Sequence, residues 1–150
     1  MSKDITPNLW FDGNAKEAVE FYISVFPNSK ILSTTNYPHE GLADFQKEMA
    51  GKVLTIEFEL MGNQFVAINA GPEFKFNESV SFSIPCKDQA EIDYYWKMLS
   101  SVTESEQCGW CKDKYGLSWQ VVPENIDELM KRPNAFAHLM QMKKIIVENF

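Results

Sequence analysis

The chain has 150 residues, one domain's length, and its 14 Lys and Arg against 21 Asp and Glu leave a formal charge of −7. That balance argues against nucleic acid or an anionic membrane as partner, because both select positive surfaces. Eleven Phe, four Trp and five Tyr exclude a disordered chain, no apolar run approaches the ~20 residues of a membrane span, and the first four residues do not read as a signal peptide. Three cysteines supply no disulfide framework, so a cytoplasmic protein is expected.

In chain order, residues 5–11 read as a short strand ending at Asp12-Gly13. Asn14 with Glu17 has the form of a capping box, and Ala15, Ala18, Val19, Tyr22 and Phe26 follow at helical spacing until Pro27-Asn28. Strands are expected over 30–37, 53–60 and 64–69, the last two joined at Gly62-Asn63, with a polar loop over 38–51. The second half repeats this order. Residues 80–85 predict a strand, Asp88 with Glu91 a second capping box, and Ile92, Tyr95, Trp96 and Leu99 the apolar stripe of a second helix. A step of 74 residues relates Glu17 to Glu91, Phe21 to Tyr95, Tyr22 to Trp96 and Val25 to Leu99, as an internal duplication would. Extended segments are expected over 103–107, 110–112 and 117–122, then helices over 126–131 and 134–147, broken by Pro133.

Alternation along each strand assigns faces. Ile5, Leu9 and Phe11, Leu54, Ile56, Phe58 and Leu60, Val66 and Ile68, Phe82 and Ile84, and Trp119 and Val121 form the apolar parity, expected beneath the helices. The opposite parity (Asn8, Trp10, Glu57, Asn69, Ser81 and Gln120 among it) is mostly small and uncharged, which suits a wet concavity better than open surface. Trp10, Phe65, Phe74 and Trp110 are candidate aromatic walls for a flat or apolar ligand.

Four blocks carry a family resemblance: the run from Ile5 to Asn14 with Ala18-Val-Glu-Phe-Tyr22 and Phe26-Pro-Asn-Ser29; Ala70-Gly-Pro-Glu-Phe-Lys-Phe76; Cys108-Gly-Trp110 with Asp113-Lys-Tyr-Gly-Leu-Ser-Trp-Gln-Val-Val-Pro123; and Met140-Gln-Met-Lys-Lys144. In this order they resemble PhnB-like proteins of the vicinal oxygen chelate superfamily, which includes glyoxalase I, bleomycin-resistance proteins and extradiol dioxygenases. The resemblance implies an α+β fold of two βαβββ modules, about 1–75 and 76–125, forming a curved mixed sheet around a cup, with a helical tail over 126–150 in the same single domain. It also implies a homodimer, which the apolar tail (Phe136, Leu139, Met140, Met142, Ile145, Ile146) supports on its own composition. Many such sequences bear the label 3-demethylubiquinone-9 3-methyltransferase. Asp12-Gly-Asn14 is the nearest thing here to the glycine-rich turn of a doubly wound methyltransferase, and it lacks the spacing.

Metal-dependent members of that superfamily are similar to one another in drawing His, Glu or Gln from four strands. By register those positions fall near Thr6 or Asn8, Ala67 or Asn69, Ser81 and Gln120, a set without imidazole or carboxylate, so neither metal nor other cofactor is expected. His39 sits in the 38–51 loop and His138 on a tail helix, with nothing in the sequence to pair them. Cys108 and Cys111 have CxxC spacing but no βαβ context, and in an extended segment would face opposite ways. Cys108 is kept as a candidate at the rim and Glu57 as the acid-base candidate. Two functions follow as expectations: a metal-independent isomerase or lyase using Glu57, or a non-catalytic protein that binds or sequesters a small molecule.

Overall fold

The computed structural model describes residues 4–150, which divide into two compact units, Met1–Lys75 and Phe76–Phe150. In the first, β1 (Asn8–Asp12), α1 (Ala15–Val25), β2 (Lys30–Asn36), β3 (Val53–Leu60) and β4 (Asn63–Ala70) make a sheet of order β1-β4-β3-β2, with β1 parallel to β4 and the other pairs antiparallel. The helix buries Ala15, Ala18, Val19, Tyr22 and Val25, a stripe at the 3.6-residue period. Beneath it lie Leu9, Phe11, Ile56, Phe58, Leu60, Phe65 and Ala67, all buried.

In the second unit, β5 (Ser81–Cys86), α2 (Gln89–Leu99), β6 (Trp110–Lys112) and β7 (Ser118–Pro123) form a sheet of order β5-β7-β6, again with its first and last strands parallel neighbours. Both helices are 11 residues long, and α2 starts and ends 74 positions after α1, so the duplication is visible in the backbone. Asp88 caps α2 as expected, its carboxylate accepting from the Glu91 amide at 2.9 Å. The first capping box differs: Asn14 makes no side-chain cap, and the Ala15 amide donates instead to Oδ1 of Asn69 at 3.2 Å.

The extended segment expected over 103–107 does not form a strand. Thr103–Ser105 is a 3-10 turn, closed by a 2.7 Å hydrogen bond from Ser100 to Glu106, and Gln107 meets Trp110 in an isolated bridge. A run of Thr, Glu and Ser has no apolar parity to bury, so nothing holds it on the sheet. The expected tail helices are also shorter, α3 (Ile126–Leu129) and α4 (Ala135–Met140). Beyond α4 the chain runs back along the turn before β6, where the Cys108 and Gly109 amides donate to the Met142 and Lys143 carbonyls at 2.7 and 2.8 Å. The Gln89 side chain clasps this segment, donating to the Ile145 carbonyl (2.9 Å) and accepting from the Val147 amide (2.8 Å). Gly109 is required there: its φ is +91°, and a Cβ would stand 2.8 Å from Cδ1 of the buried Ile145.

Candidate functional site

Each sheet has one face under its helix and one face away from it. In the first unit, strand register places two cross-strand rows on the face away from α1: Asn8, Val66, Glu57 and Ser33, then Trp10, Ile68, Thr55 and Thr35. Val66, Ile68, Thr55 and Trp10 are half-buried, whereas Asn8 and Glu57 are exposed. The Trp10 indole N–H donates to the Gly71 carbonyl at 2.9 Å, which fixes the ring. The ring of Phe74, 64% exposed, stands edge-on to it with centroids 4.8 Å apart. The Thr35 and Thr55 hydroxyls share a 2.6 Å hydrogen bond, and Asn8 donates to the Thr6 carbonyl at 3.0 Å. An apolar floor, an aromatic wall and a carboxylate at the margin thus lie together on this face. Glu57 is exposed, contrary to the expectation of a partly buried acid.

Two of the candidates lie on the other face. Phe65 is buried and stacks on Phe58 with centroids 5.5 Å apart. Asn69 is buried as well: Oδ1 accepts from the Ala15 amide, Nδ2 donates to the Val53 carbonyl at 3.0 Å, and its own carbonyl accepts from the Tyr37 hydroxyl at 2.7 Å. The cause is the turn. Leu60 pairs with Asn63 across a two-residue loop, Met61-Gly62, both at positive φ. Such a loop pairs even positions of β3 with odd positions of β4, so inward Ile56 and Phe58 bring Ala67 and Phe65 inward with them. Val66 and Ile68, expected beneath the helix, are therefore on the open face.

In the second unit the face away from α2 also carries two rows. Ser81, Ser118 and Lys112 form one, and Ser83, Gln120 and Trp110 the other. Gln120 Nε2 donates to Ser81 Oγ at 2.8 Å, so these two candidates are joined. Trp110 is half-buried beside them. Ile84, Trp119, Val121 and Cys111 are buried on the opposite side, and burial with the nearby Asp113 and Glu106 carboxylates pushes the Cys111 thiol up to about 12. Cys108 occupies a left-handed turn position (φ 42°) and is half-buried, and burial raises its thiol too. Burial thus acts on both thiols in the direction opposite to the lowering that activates a nucleophilic cysteine. Asp113 is a buried acid that strand alternation does not mark. It is 1% exposed and its oxygens accept from the Tyr115 amide (2.8 Å), the Leu117 amide (3.1 Å) and the Trp119 indole (2.9 Å). It folds the β6–β7 connection.

The positions where the superfamily's metal ligands would fall do not suit a divalent ion. Ala67 offers no donor, the Asn69 side chain is spent on backbone groups under the helix, and Ser81 and Gln120 bond each other. Among the described residues no group of three or more His, Cys, Asp or Glu side chains comes together, and no helix is long and apolar enough to cross a membrane. His39 and His138 are both exposed.

Two units, each a helix on a small mixed sheet whose outer parallel pair joins the first and last strands, define the α+β fold of the glyoxalase and bleomycin-resistance type. The family model for 3-demethylubiquinone-9 3-methyltransferase matches residues 3–122. The chain belongs to that family, the PhnB-like proteins of the vicinal oxygen chelate superfamily. The PhnB protein from Bacillus cereus is 32% identical, over 80% of this chain and 99% of that one, with a TM-score of 0.63. Two more distant structures share the fold: a Pseudomonas aeruginosa protein (19% identity, 81% and 98% coverage, TM-score 0.58) and the fosfomycin resistance protein FosX from Mesorhizobium loti (8%, 88% and 100%, 0.55). No curated protein matches the chain in sequence.

Proposed function

We propose that the protein binds a small organic molecule with a flat apolar part, and that it holds rather than transforms it. The observation that carries this reading is the Trp10–Phe74 pair: an indole fixed by Gly71, met edge-on by a mostly exposed phenyl ring, over Val66 and Ile68. Asn8 and Glu57 lie in the adjoining row and suit a ligand's hydrogen-bond donors. In the second unit Ser81, Gln120 and Trp110 offer a similar mixture of polar and aromatic groups. Binding needs no divalent ion in this reading, and methyl transfer finds no support: the two small mixed sheets contain no doubly wound parallel arrangement among the described residues. Native mass spectrometry of the purified protein should show a retained small molecule whose occupancy survives EDTA. Phe74→Ala and Trp10→Ala should each weaken retention about tenfold, the loss of roughly 1.4 kcal/mol of stacking and burial. Retention unchanged in both variants would remove the reading. Chemical conversion of the molecule on standing, lost in Glu57→Gln, would replace it by the isomerase or lyase function.

We also propose association of two copies through α4. Met142 and Ile145 are buried within their own unit, so the apolar tail is less available than its composition suggests, but Phe136 and Met140 remain 67% and 44% exposed one helical turn apart. Light scattering should give twice 17.3 kDa at micromolar concentration, and Phe136→Glu should return a single copy. A wild-type mass of one chain across that range rejects the dimer.

A further inference from the structure

One rung of the second sheet holds a group that the fold leaves unexplained. Ser118 is 1% exposed, and its hydroxyl has no hydrogen-bond partner among the described residues. Buried hydroxyls are nearly always bonded, so an unsatisfied one points to a water, an ion or a ligand. Its neighbours in the same rung are Ser81, its parallel partner on β5, and Lys112, its antiparallel partner on β6. Neighbouring strands lie about 4.8 Å apart, so the three side chains stand in line across roughly 10 Å of the face away from α2.

The donors in that line all have capacity to spare. Ser81 Oγ accepts from Gln120 Nε2, a bond that leaves the Ser81 proton for another acceptor. Lys112 is only 22% exposed, and its ammonium pairs with Glu78, whose carboxylate lies 2.7 Å away and is 54% exposed. Lys112 holds the Glu78 carboxyl below its usual range. Glu78 is thus an acceptor at the rim that can turn to water when a better-placed acceptor arrives. Two hydroxyls and one ammonium, with no fixed acid in the rung itself, are the complement of a small oxyanion.

We propose that Ser81, Ser118 and Lys112 form a subsite for the oxyanion group of a small molecule, a carboxylate or a phosphate-type group. Ser118 and Ser81 donate to its oxygens, Lys112 supplies the charge, and Glu78 competes with the ligand for Lys112. The subsite uses none of the residues of the Trp10–Phe74 surface, so either can fail without the other.

Isothermal titration of the full chain with sodium phosphate and with sodium acetate, against sodium chloride as control, tests it. Saturable heat with phosphate or acetate but not chloride is expected, and the stronger of the two identifies the group. Ser118→Ala should weaken that binding tenfold or more while raising the melting temperature, because the variant removes an unsatisfied buried hydroxyl. Ser118→Thr, which keeps the hydroxyl, should restore binding. Lys112→Gln should abolish the signal, and Glu78→Gln should tighten binding several-fold by removing the competitor. Absence of saturable heat with both anions in the Glu78→Gln chain overturns the proposal, and so does a Ser118→Ala chain that binds like the wild type.

Discussion

Phe58→Ala should destabilise the first unit by about 3–5 kcal/mol, the usual loss when a fully buried phenyl ring is deleted. Phe58 has no exposure, sits opposite Ile31 and Phe65 in the sheet, and stacks on Phe65. The cavity would open on the α1 side of the sheet, where the helix buries Ala15, Ala18, Val19, Tyr22 and Val25. Glu57, one position earlier, points the other way, and Glu57→Gln should leave the melting temperature where it is while changing retention of a ligand. Urea denaturation of the two variants side by side decides the face assignment. A benign Phe58→Ala, or a Glu57→Gln that unfolds early, would mean that β3 is turned over.

Asp113→Ala should cost about 3 kcal/mol or more, because it removes the carboxylate that accepts from the buried Leu117 amide and from the Trp119 indole N–H. Asp113→Asn is the informative companion. It keeps an oxygen for the Tyr115 and Leu117 amides but turns an NH2 group toward Trp119, donor against donor. The Asn variant should therefore be intermediate, and adding Trp119→Phe should cost less in the Asn background than in the wild type. Additive losses across that double-mutant cycle would show that the Asp113–Trp119 bond does not stabilise the fold.

The sequence made the helices legible because two signals agree there. Period and cap coincide at Asp88, and the 74-residue step reproduces both ends of α1 in α2. β3 and β6 were legible to the residue, since Gly62 closes one and Asp113 follows the other. The faces of β1, β3, β5 and β7 also follow from simple alternation, except that Ile5, expected beneath the helix, lies before β1 and is fully exposed. β4 does not, because both of its parities are apolar enough to be buried: Phe65 and Ala67 on one side, Val66 and Ile68 on the other. Only the register imposed by a two-residue turn separates them, and Asn69 goes with the inner set. The rung of Ser81, Ser118 and Lys112 was half legible. Ser81 stood out by parity, but Ser118 looks like any strand serine until its missing partner is seen, and Lys112 looks like a solvated cation until Glu78 is found beside it. Such signals reside in three-dimensional satisfaction of polar groups, which alternation does not encode.

The clasp that Gln89 closes around Ile145 and Val147 has a consequence for solubility. Segment 142–143 supplies the acceptors for two consecutive amides, Cys108 and Gly109, at the margin of a three-stranded sheet whose expected fourth strand is a 3-10 turn. The returning chain thus works as a strand-edge guard, secured by one side-chain amide and by the Lys144–Asp93 ion pair at 2.8 Å. Proteolytic nicking within 141–147 would unmask those amides as a template for another chain, converting a shielded margin into an adhesive one.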